Sequence, residues 1–451
     1  MKGSDWEIIN ALDYCSKITD GTHDSPRATD CGKPLVTSKH IKGREIDFTN
    51  AYLISEEDYS KINLRSKVEQ WDVIISMIGE YCGFCYIERN NKIEYAVKNV
   101  GLFKTGSELK ANWLYYFLNS AFGKSILNSS KSGSSQPYLT LGSLRDLKIR
   151  MPSNQKVKEQ IVKILSSLDS KIELNNRINA ELEAMAKTLY DYWFVQFDFP
   201  DKNGKPYKSS GGKMVWNEEL KREVPEGWEV MELNKCIKLI IDNRGKTPTK
   251  LGGNWTIDKD GIIALSAKIV KGGKLNNLEQ ANKVDRKLYE KWMPIKLQNG
   301  DVLMTSEAPA GEFYFIYGKT EYCLSQRLFA IRADQKIIIP IFLYYELSKG
   351  HSYSQIMGSL SGSTVFGIRQ DVLRKIKVIV PKLEIQKKFE KIILPLIQRI
   401  KSIDEENQPL SSLRDWLLPM LMNGQVKVGG NEAEESMGMA AEGEVVYGEG
   451  G

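Results

Sequence analysis

QKVKEQIVKILSSLDSKIELNNRINAELEAMAKTLYDYWFVQFDF, from Gln155 to Phe199, decides how the chain is put together. Apolar residues fall at Ile161, Leu165, Leu168 and Ile172 and resume at Leu182, Leu189 and Trp193, the alternating four-and-three spacing of a heptad seam. The same seam carries Asn175 and Asn179, polar residues that a coiled coil accepts where they fix register and partner. No Pro or Gly interrupts it before Pro200. The spacing therefore predicts one long helix with a specified partner, roughly 60 Å from Gln155 to Val195 at about 1.5 Å per residue. A rod of that length acts as a spacer.

Outward from this stretch the sequence repeats. A shift of 229 positions lays Val36 to Gly43 on Leu265 to Gly272, with identity at Lys39/Lys268, Lys42/Lys271 and Gly43/Gly272. The same shift brings Asp72-Val73 onto Asp301-Val302, Leu114-Tyr115-Tyr116 onto Leu343-Tyr344-Tyr345, and Ser132-Gly133-Ser134 onto Ser361-Gly362-Ser363. One constant offset over more than a hundred residues means a duplicated domain. Each copy opens on a Trp-Glu pair (Trp6-Glu7, Trp228-Glu229) and holds short β-branched runs such as Asp72 to Ile78 and Asp301 to Thr305. Each then carries one apolar segment of helical spacing (Trp113 to Ala121, Ile341 to Leu347) and closes on an alternating run that stops at Pro152 or Pro381.

After the second copy, a stripe at Phe389, Ile392, Leu396, Ile403, Leu410, Leu413 and Leu417 predicts a second long helix, Glu384 to Met422. It aligns with the first at a shift of 231 and is expected to kink or break at Pro395, Pro409 and Pro419. Two stripes that cannot bury themselves alone bury each other. The expected fold class is α+β: two similar mixed α/β domains separated by two long helices that form an antiparallel coiled coil. The expected boundaries are domain one, 1–153; central helix, 154–200; linker, 201–227; domain two, 228–382; closing helix, 383–428; tail, 429–451. Within the linker, the Gly, Ser and Lys content of Asp201 to Lys213 predicts flexibility, and the acidic tail reads as disordered.

Composition narrows the class. The 41% hydrophobic and 27% charged fractions are ordinary for a soluble protein, and there is no apolar run long enough to span a membrane. The N-terminus lacks the apolar core of a signal peptide, so the expected location is cytoplasmic. Net charge is +6, yet residues 429–451 hold six Glu and no Lys or Arg, which leaves +12 on the rest, a mild basic excess compatible with a polyanionic partner. Cys82-Gly-Phe-Cys85 has zinc-ligand spacing, but no second pair or nearby His completes four ligands, and structural thiols are the preferred reading over a metal.

Catalytic equipment is sparse. The only histidines are His23, His40 and His351, with no metal-binding helix motif among them, and there is no phosphate loop or nucleotide-methylating signature. Acidic-x-Lys triplets such as Asp146-Leu-Lys148 and Glu108-Leu-Lys110 are of the kind that chance supplies in a Lys-rich chain, so a self-contained nuclease is disfavoured. Polar loops at equivalent places in the two copies are the better candidates for function. In the first copy they carry Thr22 and His23; Lys39, His40, Lys42 and Arg44; and Ser134, Gln136 and Tyr138. In the second they carry Arg244 and Lys246; Lys268, Lys271 and Lys274; and Ser363, Thr364 and Arg369. Lys and Arg neutralise phosphates, and Gln136, Tyr138, Arg244 and Arg369 have the chemistry to sense base edges. Ordinary solvated turns would have the same composition, but a common frame with divergent loops makes two different recognition surfaces the more economical reading.

Two runs make the resemblance specific. Ser167-Leu-Asp-Ser-Lys-Ile-Glu-Leu-Asn-Asn-Arg-Ile-Asn179 leads to Leu189-Tyr-Asp-Tyr-Trp-Phe194, and the C-terminal run is Leu413-Arg-Asp-Trp-Leu-Leu-Pro-Met-Leu-Met-Asn-Gly424. They resemble the two regions shared by specificity subunits of type I restriction-modification systems, and the likeness in repeat order extends up to Val428. The resemblance implies two target recognition domains, each reading one half of a split double-stranded DNA sequence, held apart by helices that dock two methyltransferase subunits. It implies a non-catalytic chain that binds no cofactor of its own. S-adenosylmethionine and DNA methylation would belong to the methyltransferase subunits, and ATP and Mg to restriction/translocase subunits acting in defence against foreign DNA. Leu189, Tyr192, Trp193, Phe194, Leu413, Trp416 and Leu417 then become candidate partner contacts. The competing reading is a two-headed coiled-coil scaffold that bridges proteins without reading DNA.

Overall fold

The computed structural model describes residues 5–133, 135–362 and 366–426, and shows a duplication of sheet topology to match that of the sequence. In the first copy a four-stranded antiparallel sheet runs in the order Lys17–Asp20, Val100–Lys104, Asp72–Ser76, Cys85–Ile87. The second copy repeats it with Ile237–Asp242, Leu328–Ala333, Val302–Thr305 and Phe313–Phe315. Beside each lies a three-stranded sheet with one parallel pair: Lys33–Thr37 against Ala96–Lys98, and Ile262–Leu265 against Cys323–Leu324. The opening and closing strands pair antiparallel in both copies, Trp6–Asn10 with Lys148–Pro152 and Glu229–Glu232 with Lys377–Val380. A hairpin of Val270–Lys271 and Lys274–Leu275 answers to a single antiparallel bridge, Ile41 with Ile46, in the first copy.

Local chemistry explains why the frame repeats. Asp72 opens the fully buried strand DVIIS, where its carboxylate accepts the Glu69 N–H at 2.7 Å and is bonded by Lys104. Asp301 does the same one copy later, accepting the Gln298 N–H at 2.8 Å and a two-pronged bond from Arg332. A buried charge is tolerable because it is both paired and hydrogen-bonded. Helices Glu108–Asn119 and Pro340–Lys349 cover the sheets, and the fully buried Trp113 donates its indole N–H to the Arg150 carbonyl. Replacing a side chain of that size and burial by Ala costs about 3–5 kcal/mol.

The chain divides into two units: one made of the residues up to Leu174 and those from Glu406, the other of Asn175 to Glu405. Each unit takes a part of both long helices, Gln155–Tyr190 and Leu383–Met422. In the first unit Asp169 faces Arg414 (3.3 Å) and Lys171 faces Glu406 (3.1 Å). In the second, Asn179 donates to Asp404 (2.8 Å) and Tyr190 meets Phe389. Later residues of one helix face earlier residues of the other, so the pairing is antiparallel in both units. On the central helix the predicted seam is buried or half-buried, including Asn175 and Asn179, and Ala186 completes its spacing.

The second helix differs from expectation in two ways. It is continuous through Pro395, Pro409 and Pro419, because Pro395 and Pro409 are exposed on its outer side, where a carbonyl left without its N–H partner faces water. Its seam is Phe389, Ile393, Leu396, Ile400, Ile403, Asn407, Leu410, Arg414, Leu417 and Leu421, whereas Ile392 and Leu413, assigned to the stripe from sequence, are 46% and 44% exposed. As copies of one another in sequence, the two helices align by their starts and buried positions at an offset of 228, not 231, with Gln155 equivalent to Leu383, Ile161 to Phe389 and Asn179 to Asn407.

The central helix ends in a π-helical turn, Asp191–Val195, whose exit is capped by the Asp198 N–H on the Tyr192 carbonyl at 2.9 Å. The expected flexible link from Asp201 is folded instead. Asp198 accepts from the Ser209 N–H (2.7 Å) and hydroxyl (2.6 Å), Tyr207 stacks on Phe199, and a hairpin of Met214–Asn217 and Arg222–Pro225 follows. The acidic tail lies outside the described residues.

Candidate nucleic-acid interface

In the first copy, the loop after strand Lys17–Asp20 holds His23 with its ring nitrogens 2.9 Å from Asp20 Oδ2 and 3.0 Å from Asn99 Oδ1, its side chain largely exposed. Arg65 bonds the other Asp20 oxygen at 2.6 Å. Thr22 is tied to the sheet through its N–H on the Val97 carbonyl. Further along, Lys39 is exposed, while Lys42 donates to the Tyr81 hydroxyl (2.9 Å) and lies 4.0 Å from the centre of that ring. Tyr81 meets the exposed Phe84 edge-on at 5.6 Å. The loop bearing Gln136 and Tyr138 docks at the base of the same turn, since Leu139 N–H bonds the Met77 carbonyl and Gly79 N–H bonds the Pro137 carbonyl. Gln136 and Tyr138 are exposed there.

This brings together Lys42, Gln136 and Tyr138 with two aromatics that the sequence reading missed, Tyr81 and Phe84. Their signal was present as aromatic residues beside Gly79 and Gly83, both at positive φ, which fold Gly79-Glu-Tyr-Cys-Gly-Phe84 into a tight projecting turn. Exposed aromatics beside lysines offer faces for base stacking and charges for phosphate.

Two residues placed in that loop set from sequence serve the fold instead. His40 is buried: Nδ1 accepts the Thr37 N–H at 2.8 Å, and burial holds the ring below the ordinary imidazole range. It caps a short helical turn as a neutral imidazole. Arg44 turns inward, over the Tyr115 ring and onto the buried Asp169, which also faces Arg414 and accepts the Tyr116 hydroxyl at 2.6 Å. It fastens the domain to the helix pair.

The second copy arranges different chemistry on the same frame. Arg244 makes a forked bond to Asp242 and lies over the Phe329 ring at 4.5 Å, and Lys246 donates to the Trp292 carbonyl at 2.9 Å. Both are therefore partly committed within the domain. Lys268 and Lys271 are exposed, whereas Lys274 pairs with Glu183 of the central helix at 3.4 Å. Arg369 is exposed, 3.7 Å from Asp371, and the Gly367 loop pairs with the Ser306-Glu307 turn as Tyr138 pairs with Ile78. Arg327, bonded to Glu307 at 3.1 Å, and the exposed Phe366 stand on these segments and were not singled out from sequence. Ser134, Ser363 and Thr364 lie outside the described residues.

The candidate partner contacts separate cleanly. Tyr192, Leu413 and Trp416 are exposed, and Leu189 and Leu417 are half-buried. Trp193 and Phe194 are buried in the aromatic core of the second unit, where Phe194 packs on Phe342 at 4.7 Å and on Phe389 at 5.0 Å, so the structure removes them from any free surface. Among the described residues no group of three potential metal ligands occurs, and no helix is long and apolar enough to cross a membrane.

The comparisons with known proteins agree with this architecture. The family model described as type I restriction modification DNA specificity domain matches residues 5–184 and again 225–411. The chain is similar to the putative type I restriction enzyme MjaX specificity subunit of Methanocaldococcus jannaschii, at 26% identity over 438 residues covering 94% of each chain. It is also similar to the MjaIX specificity subunit of the same organism, at 25% identity over 324 residues covering 70% of this chain and 69% of that one. In fold it matches the crystal structure of a type I restriction-modification S subunit from M. genitalium, with a TM-score of 0.53, 14% identity and coverage of 93% and 97%. With two successive matches to one model together spanning most of its length, this chain belongs to the family of type I restriction-modification DNA specificity domains.

Proposed function

We propose that this chain is the DNA sequence-recognition subunit of a type I restriction-modification complex, and that its two domains read the two halves of a split double-stranded target. The observation that carries the reading is the repeated frame with divergent loops: one copy presents Lys42, Tyr81, Phe84, Gln136 and Tyr138, and the other presents Arg327, Phe366 and Arg369. One scaffold presenting two chemistries fits two half-sites better than one repeated site. Exposed Lys39, Lys268 and Lys271 supply phosphate contacts and salt-dependent affinity.

In this reading the helix pair docks two methyltransferase subunits, with Tyr192, Leu413 and Trp416 available on its outer faces. S-adenosylmethionine and methyl transfer belong to those subunits, and ATP- and Mg-dependent cleavage to restriction/translocase subunits. This chain binds the duplex, sets which bases are presented and tolerates the distortion that flipping a target base requires. The test is to combine the purified chain with its methyltransferase partner and sequence the methylated sites. A split motif methylated only by the combination is expected. Robust methylation or cleavage by this chain alone, or binding indifferent to sequence as for a pure scaffold, overturns the reading.

A further inference from the structure

The second unit contains a cleft of about 440 Å³ lined by Gly272, Gly273, Glu312, Phe313, Tyr344 and Ser348, among others. The internal duplication identifies what occupies the corresponding place in the first copy. At the offset of 229, Gly273 answers to Arg44 and Tyr344 to Tyr115. In the first copy the Arg44 guanidinium lies 5.4 Å from the centre of the Tyr115 ring. In the second copy there is no side chain at that position, and a Cβ built on Gly273 would stand 3.3 Å from the Tyr344 hydroxyl, so the tyrosine is open to the cleft.

Two further features suit a guanidinium. Glu312 answers to Gly83, so the second copy places a carboxylate where the first has none. Its Oε2 accepts the Gly272 N–H at 2.7 Å, and it forms no ion pair among the described residues. The second feature is Ser348, on helix Pro340–Lys349. It is 7% exposed, lines the cleft, and its hydroxyl oxygen has no hydrogen-bond partner among the described residues. An unpartnered buried hydroxyl destabilises the fold, and a donor entering the cleft would relieve it. Lys349, which also lines the cleft, is exposed and long enough to extend into solvent.

We propose that this cleft receives the guanidinium of an arginine side chain from a partner protein, which supplies in trans what Arg44 supplies within the first copy. The planar cation stacks on Tyr344, its forked N–H groups meet the Glu312 carboxylate, and a remaining N–H is accepted by Ser348 Oγ. The ring, the carboxylate and the hydroxyl acceptor together match five donors and a delocalised charge, and a lysine ammonium would use the ring and the carboxylate less completely.

The test uses the full chain and N-acetyl-arginine amide as a side-chain probe, followed by saturation-transfer NMR, with N-acetyl-lysine amide and adenosine as competitors. Binding of the arginine probe in preference to both is expected. Glu312→Gln keeps an acceptor for the Gly272 N–H but removes the charge, and should weaken binding about tenfold. Ser348→Ala, which removes the unpartnered hydroxyl and leaves the space open, should weaken it by a smaller factor while unfolding at no lower a urea concentration than the wild type. Absence of binding to the wild type, binding indifferent to Glu312→Gln, or preference for adenosine overturns the proposal. No DNA enters the measurement, so its failure would leave the reading as a sequence-recognition subunit standing.

Discussion

Lys39 and Arg44 stand five positions apart on one basic loop, and their charges act on different partners. Lys39 is exposed, so Lys39→Ala should leave stability unchanged and lower the slope of log affinity against log salt by about 1. Arg44 is held by Tyr115 and the buried Asp169, so Arg44→Ala should destabilise the first unit by about 3 kcal/mol, because Asp169 loses one of its cations. Urea titration beside DNA binding at several salt concentrations separates the two, and equal effects on stability would contradict the assignment. The sequence marked both as basic loop residues; whether a cation turns out to solvent or in toward a carboxylate on a distant helix depends on tertiary contact, which local pattern does not contain. Asp72 adds a pH dependence. Burial pushes its carboxyl up to about 6, although Lys104 and the Glu69 N–H pull it down. The unfolded value is about 3.9, so the folded protein holds this proton more tightly, and the associated stabilisation is present below about pH 4 and lost as pH rises through about 6. Asp72→Asn should flatten that part of the curve of urea midpoint against pH. An unchanged slope would assign it to another group.

The two long helices show which parts of a pattern can be read without coordinates. The central seam was legible down to Asn175 and Asn179, because its spacing of four and three runs unbroken from Ile161. On the second seam Phe389, Leu396, Ile403, Leu410 and Leu417 were legible, but the stripe picks out Ile392 and Leu413, which face outward, in place of their neighbours Ile393 and Arg414. Asn175 and Asn179 are flanked by apolar seam positions on both sides, whereas Arg414 is recognisable as a seam residue only with its partner, Asp169, which opposes it. The prolines misled for a related reason: local rules count a lost N–H bond as a break, whereas packing along the inner face holds the helix together across it. That argument has a measurable consequence. Pro409 is exposed, so Pro409→Ala restores a backbone donor without disturbing the seam, and should raise stability by about 1–3 kcal/mol. A destabilised variant would mean that the helix depends on the bend that the proline introduces.

At the scale of the whole molecule, the duplication, the fold class and the helix pair were legible because each rests on repetition over many residues, while the candidate interface rests on a few loops whose approach is set by distant segments. Gln136 and Tyr138 come to lie beside Tyr81 and Phe84 through the bonds of Pro137 and Leu139 to Gly79 and Met77, a contact between segments more than fifty positions apart. If the helix pair acts as the ruler between half-sites, its length sets the unspecified spacer in the DNA target. One heptad inserted in both helices, after Leu174 and after Glu405, leaves Asp169 opposite Arg414 and Lys171 opposite Glu406 on one side, and Asn179 opposite Asp404 on the other. It preserves the seam and adds up to about 10 Å. At roughly 3.4 Å per base pair, the spacer should lengthen by at most about three base pairs, with both half-site sequences unchanged, since no recognition loop moves within its own domain. An insertion of two residues would rotate each seam away from its partner and should abolish assembly. Sequencing the methylated sites of a strain carrying each variant reads the result directly: an active heptad variant with an unaltered spacer would mean that something other than the helices sets the distance.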